Sequence, residues 1–193
     1  EGERESMQKA VDLASRAALV GALALAEGAL QPIDSTCERV RDGGVNFVVR
    51  TTLASAATSK IRGSTEPQGQ TPNPFLPYHP AVFVADLSPT HVCLLNKFSV
   101  VSGHVLVVTR DFEPRAAPLS LDDFRAWIDC LNGLDKDNSR SAVGFYNSGP
   151  LAGASQPHKH LQVVPYAACS PEDSPSPEAW PPMAALWETC DAP

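Results

Sequence analysis

His158 and His160 stand one residue apart, and Gln162 follows at the same spacing; these are the residues whose types and pattern carry chemistry. In an extended strand successive side chains alternate, so these three share one face while Lys159, Leu161 and Val163 share the other. An imidazole with an ordinary pKa of about 6.5 is largely uncharged at neutral pH and is a competent nucleophile, provided one ring nitrogen is free. The other nitrogen then has to donate to a fixed acceptor, and a backbone carbonyl of the preceding segment would serve. Immediately upstream, "SGPLAGAS" (148–155) offers small residues and hydroxyls whose N–H and O–H groups can converge on phosphate oxygens. The segment thus combines a donor-rich phosphate cradle with an imidazole able to attack phosphorus. The competing reading makes H-x-H two ligands of a metal site, with His79, His91, His104 or Cys169 as a third and a metal-dependent hydrolase as the result.

The elements that must position these groups can be read from pattern. "AVFVADL" (81–87), "HVCLLNKF" (91–98) and "GHVLVVTR" (103–110) are runs rich in β-branched residues joined by short turns, and predict an antiparallel meander. "SLDDFRAWIDCLNGL" (120–134) begins with Ser120 as N-cap and two aspartates in the first turn. It places Phe124, Trp127, Ile128 and Leu131 at helical spacing, to cover one face of the sheet. "SAVGFYNSG" and "HKHLQVVPY" supply two more strands with the glycine-rich loop between them. The prediction is a single α+β domain over residues 1–168, an antiparallel sheet with flanking helices.

Near the start, Val11, Ala14, Ala18 and Leu25 have helical spacing and predict an amphipathic helix packed on the domain. The apolar run Ala17 to Ala26 with its A-x-A pattern leaves a cleaved signal peptide as the alternative, and it is too short to span a bilayer. "GGVNFVVR" (43–50) reads as a glycine turn entering a strand. Residues 51–79, rich in Thr, Ser, Ala, Gly, Gln and Pro, read as a long irregular loop, a kind that is usually functional or mobile. Residues 169–193 read as a Pro/Ser-rich linker followed by the start of a truncated or absent C-terminal domain.

Composition narrows the partners. A net charge of −7 and the lack of any Lys/Arg-rich run argue against a protein that grips nucleic acid by its backbone. A small polyphosphate needs only local donors, so global acidity does not exclude it. Five cysteines, odd in number and without a C-x-x-C pair, predict free thiols in a reducing compartment, the cytoplasm first with an organelle left open. Cys93 reads as a buried core residue, and no membrane partner is expected.

"GFYNSGPLAGASQPHKHLQVVP" resembles the histidine triad superfamily in its nucleotidyltransferase branch, the diadenosine tetraphosphate (Ap4A) phosphorylases or ATP adenylyltransferases. "EGALQPI", "GGVNFVVR", Lys60, "NPFLPYHP" and "VADLSPTHVCLLNKFSVVSGHVLVVTRDFE" are similar to that family in the same order, so the resemblance covers nearly the whole chain. It implies that His160 attacks the α-phosphorus to give an adenylyl-histidine that inorganic phosphate discharges, the products being ADP and ATP. It places His158 and Gln162 beside the nucleophile, Gln162 standing where triad hydrolases have a third histidine. It also implies that Lys60, Asn96, Lys97, Asn147, Ser148, Gly153, Ala154, Ser155 and Gln156 line the nucleotide and phosphate pocket. No tightly bound cofactor and no protein-bound metal are implied, only a divalent cation travelling with the polyphosphate, and a monomer is expected. Two departures stand out: Arg115 occupies a position where a glutamine is expected, and family members carry a sizeable C-terminal domain. A nucleotide-binding or sensing module without turnover is therefore the alternative to an enzyme.

Overall fold

The computed structural model describes residues 2–52, 73–135 and 142–165. The chain runs through helix α1 (Gly2–Ala26), a hairpin of β1 (Ser35–Asp42) and β2 (Val45–Thr52), and the meander β3 (Phe83–Asp86), β4 (His91–Leu95) and β5 (Val105–Thr109). Helix α2 (Leu121–Leu134), β6 (Ala142–Phe145) and β7 (His160–Pro165) follow. The fold is α+β: a five-stranded antiparallel sheet in the order β3-β4-β5-β7-β6, with both helices on one face. The crossover through α2 inserts β7 between β5 and β6, so the strand carrying the histidine motif is paired on both edges.

Strand register sorts residues by face, because directly opposed Cα partners project to the same side. Val105, Val107, Leu161 and Val163 face the helices: Val163 is opposite Val105 and Gly144, and Leu161 is opposite Val107. With Leu13, Ala17, Ala126 and Cys130 from the helices and Cys93 from β4, they form the core. Gly144 is required there by close approach, since a Cβ would stand 2.8 Å from the Trp127 ring. Cys93 is fully buried and free, and its contact with Cys130, then burial, raises its thiol pKa well above the ordinary value.

The helix faces differ from the predicted ones. Among the described side chains of α1, Leu13, Ala17 and Ala24 are buried while Ala18 and Leu25 are exposed, and Val11 lies outside them. The stripe 13, 17, 20, 24 keeps the predicted period on a neighbouring face. In α2 the buried residues are Asp123, Ala126, Cys130 and Gly133, with Phe124 and Ile128 exposed. Of the predicted covering residues Trp127 and Leu131 do pack against the core, and the buried face also carries Asp123, which meets His91 of β4 and Lys159 just before β7. The N-cap is as predicted, with Ser120 Oγ accepting from Asp123 N at 3.1 Å and Asp123 Oδ2 accepting from Ser120 N at 2.7 Å. β1 was absent from the sequence reading; "STCERVRD" has no apolar alternation, and its pairing with β2 is set by the Gly43–Gly44 turn, both residues at positive φ.

No described helix is long and apolar enough to cross a membrane. Most of the 51–79 segment, and with it Lys60, lies outside the described residues, as do residues 169–193.

Candidate active site

On the face away from the helices, His160 is opposite Val108 and Gln162 is opposite Leu106 and Phe145. His160 opens β7, and its Nδ1–H donates to the carbonyl of His158 at 2.7 Å. That bond fixes the tautomer and leaves Nε2 as a lone-pair nitrogen. Burial, then the nearby Arg115 charge, lowers the pKa of His160 below the ordinary imidazole value, with the His158 carbonyl working the other way. His160 is therefore a neutral imidazole with one nitrogen tied and one available.

His158 is placed differently although it is one residue removed. It precedes the strand proper, held by an isolated bridge to Pro114. Its Nε2–H donates to Thr109 Oγ1 at 2.8 Å, because that hydroxyl is itself donating to the Asp111 carbonyl at 2.9 Å. Its Nδ1 accepts from Asn73 Nδ2 at 3.0 Å, and Asn73 Oδ1 accepts from Phe75 N. Both nitrogens are engaged and the ring is fully buried, so His158 has no lone pair for phosphorus or for a metal. Burial lowers its pKa as well. Phe75 closes over both rings, with centroids 5.6 Å from His158 and 5.3 Å from His160, and Phe112 flanks His158 at 5.4 Å.

The other histidines named in the metal alternative make separate contacts. His79 caps the short helical turn Pro80–Val82 through its Nδ1, His91 donates to Asp123 at 2.9 Å, and His104 contacts Asn96 Nδ2 at 3.2 Å. Among the described residues no three His, Cys, Asp or Glu side chains gather around a metal-sized site; Cys169 lies outside them.

Lys159 is the residue between the two histidines, and it points to the helix side as alternation requires. It is 1% exposed, donating to Asp123 Oδ2 at 3.0 Å, to Glu113 Oε2 at 2.5 Å and to the Pro118 carbonyl at 3.3 Å. Burial opposes its charge, but the two carboxylates outweigh it and raise the lysine pKa. Asp123 is lowered: burial alone would raise it, and the Ser120 N–H, His91 and Lys159 together overcome that. All three ammonium donors are satisfied, so this cation serves the fold and not a ligand.

The loop between β6 and β7 contributes the remaining predicted residues. Asn147 is half-buried at its start and Ser148 Oγ donates to the Arg115 carbonyl at 3.3 Å. Gly153 adopts φ 77°, and the chain then passes through Ala154, Ser155 and Gln156 to Pro157 and His158. Among the described residues nothing accepts from the N–H groups of Ala154, Ser155 and Gln156, and the carboxamide of Gln162 makes no hydrogen bond. The first three belong to the loop that leads into His158 and His160, and Gln162 lies on the same face of β7 as His160. Asn96 lies on the same sheet face but at its far end, two strands across, roughly 16 Å from His160 by strand spacing. Its Oδ1 accepts from Phe98 N at 3.2 Å, which closes the turn after β4. Lys97 is exposed, its ammonium 5.3 Å from the centre of the Phe98 ring, and is not brought to His160.

Sequence reasoning missed Asn73, Phe75 and Thr109 as parts of the site. The Asn-Pro turn of "NPF" was the one signal for the first two; Thr109 was hidden in an ordinary strand end.

The site is thus a buried histidine on one face of an antiparallel sheet, with Nδ1 tied to a backbone carbonyl and Nε2 left with its lone pair, an arrangement able to act as a nucleophile. Residues 3–179 match the family described as the Ap4A phosphorylase N-terminal domain, and the chain belongs to that family. It is similar to diadenosine 5',5'''-P1,P4-tetraphosphate phosphorylase 2 of Saccharomyces cerevisiae, at 30% identity over 71% of this chain and 45% of that protein. Protein APA1 of the same yeast is 40% identical over a shorter stretch, 37% of this chain and 22% of that protein. Yeast Ap4A phosphorylase Apa2 solved in complex with Ap4A superposes with a TM-score of 0.66 at 25% identity, over 84% of this chain and 53% of that one. The Apa2 complex with AMP gives 0.63 at 24% identity, over 79% and 50%. The chain thus spans about half the length of the relatives it matches.

Proposed function

We propose that this domain carries the nucleophile of a dinucleoside polyphosphate phosphorylase. His160 Nε2 attacks the α-phosphorus of diadenosine tetraphosphate, forming an N–P bond as the P–O bond to the leaving ATP breaks. An oxygen of inorganic phosphate then attacks the same phosphorus, the N–P bond breaks, and ADP leaves with His160 regenerated. The proton stays on Nδ1, donated to the His158 carbonyl throughout, so the ring becomes cationic only while adenylylated. The observation that carries the reading is that single hydrogen bond, which frees Nε2 on one histidine while both nitrogens of its neighbour are consumed.

The other groups divide the work of positioning. The N–H groups of Gly153, Ala154, Ser155 and Gln156, with Asn147 and Ser148, receive phosphoryl oxygens, and the Gln162 amide donates to the reacting phosphoryl group. Gln162 cannot act as an acid, and a polyphosphate leaving group of low basicity needs none. Asn96 and Lys97 bound the nucleoside end of the face, and Lys60 meets the polyphosphate. A divalent cation arrives with the substrate, and the protein acts as a cytoplasmic monomer. The relatives whose names specify Ap4A phosphorylase support this choice of substrate.

The test is product analysis. With diadenosine tetraphosphate, added phosphate should raise consumption strongly and give ATP and ADP in equal amounts. Equal rates with and without phosphate, with AMP as a main product, would establish a hydrolase instead.

A further inference from the structure

Arg115 ties together more of the site than any other residue. Its backbone N–H donates to the Pro157 carbonyl at 2.8 Å, and its carbonyl accepts from Tyr146 Oη at 2.5 Å and from Ser148 Oγ. Its guanidinium Nη1 donates to the carbonyls of Ala154 and Gln156. Both ends of the β6–β7 loop are therefore fastened to one residue of the segment that follows β5.

The charge of Arg115 is also unlike its neighbours'. Lys159 has two carboxylates, Arg110 has Asp86 and Arg125 has Asp122. Arg115 is half-buried and, among the described residues, has no carboxylate partner. A partly desolvated cation without a counter-ion is unfavourable unless an anion or oriented dipoles compensate it. Here carbonyl dipoles do so, with a geometric consequence. In a trans peptide the C=O and the following N–H point in opposite directions, so drawing the Ala154 carbonyl onto the guanidinium turns the Ser155 N–H away from it.

We propose that Arg115 is a positioning residue that sets the polarity of the 153–156 loop, holding its carbonyls on one side so that its peptide N–H groups face the phosphoryl group transferred at His160. The assignment rests on the nucleotidyl-transfer reading above and adds the residue that makes the loop a phosphate site. Its charge reaches His160 as well: Lys159, Asp123 and Glu113 are paired among themselves, and among the described residues Arg115 is the cation that favours the neutral nucleophile.

The test compares Arg115→Met and Arg115→Lys with the unaltered protein, measuring affinity for AMP and for adenosine calorimetrically, kcat and KM for diadenosine tetraphosphate, and their pH dependence. Arg115→Met should weaken AMP about tenfold or more while adenosine stays within about twofold, since a charge-assisted loop is lost and the nucleoside end is untouched. The acidic limb of kcat/KM should move to higher pH in Arg115→Met and stay in place in Arg115→Lys. The lysine variant should recover AMP affinity only in part, because an ammonium lacks the planar fork that spans two carbonyls. Unchanged AMP affinity with an unmoved limb in Arg115→Met would overturn the assignment. So would equal loss of AMP and adenosine, which marks general disruption of the fold. If the unaltered protein cleaves diadenosine tetraphosphate without regard to phosphate, the phosphorylase reading fails by itself, while the AMP and adenosine comparison still decides the role of Arg115.

Discussion

Replacing Lys159 by methionine removes the ammonium that joins α2 to the histidine strand and keeps most of the aliphatic volume. Breaking a buried ion pair from one side costs about 3–5 kcal/mol, because the remaining charge is left uncompensated. Asp123 would keep His91 at 2.9 Å and the Ser120 N–H at 2.7 Å, and Glu113, 47% exposed, would turn to water. The low end, about 3 kcal/mol, is therefore expected. With an m-value of about 2 kcal/mol/M, the urea midpoint should fall by about 1.5 M. Because Asp123 has a lowered pKa in the folded protein, its share of the stability is present above the unfolded value of about 3.9 and is lost as pH falls through the folded value. The gap between the two proteins should accordingly shrink below about pH 4. Lys159 has the opposite sign, its contribution vanishing only as pH rises through its raised value. The folded variant should keep its nucleophile, since the His160 tautomer depends on a backbone carbonyl and not on Lys159. A midpoint shift under about 0.3 M, or one independent of pH between about 3 and 7, would refute the reasoning.

His160→Ala should abolish adenylyl transfer while His158→Ala impairs it and lowers stability, because only His160 has a free nitrogen; equal kinetic loss without destabilisation in both would contradict the assignment. The acidic limb of kcat/KM should lie below the ordinary imidazole value of about 6.5, since burial and Arg115 keep His160 neutral; a limb above 7 is the contrary result. His158 has a lowered folded pKa, so the unfolded state binds more protons below about pH 6.5 and stability should decline as pH drops through that region, an effect absent in His158→Gln. Gly144→Ala drives a methyl into the Trp127 ring at 2.8 Å and should cost about 1–3 kcal/mol by urea unfolding, with no loss at all as the refuting outcome.

The strands of the five-stranded sheet were legible because they are apolar runs bounded by turns, unlike β1, and the alternation of His160 and Gln162 against Leu161 survives directly in the register of β7. Lys159 was legible in direction but not in meaning: a lysine in a strand normally implies solvent, and only the tertiary arrival of Asp123 and Glu113 makes burial tolerable. On α2 the apolar spacing was half informative: Trp127 and Leu131 pack against the core, while Phe124 and Ile128 stay outside and Asp123 takes a buried place. The difference between His158 and His160 was invisible locally, because it depends on Thr109 and Asn73, which are 49 and 85 residues distant. Arg115 could be seen in the sequence only as a substitution; its contacts with a loop some 40 residues later require the fold.

The central claim is that His160 Nε2 becomes covalently adenylylated. Peptide mass spectrometry after incubation with diadenosine tetraphosphate in the absence of phosphate tests it most directly. The account predicts an acid-labile AMP adduct on the peptide containing His160, absent in His160→Ala and discharged as ADP when phosphate is added. An adduct on His158, or steady turnover with no adduct on either histidine, would contradict it.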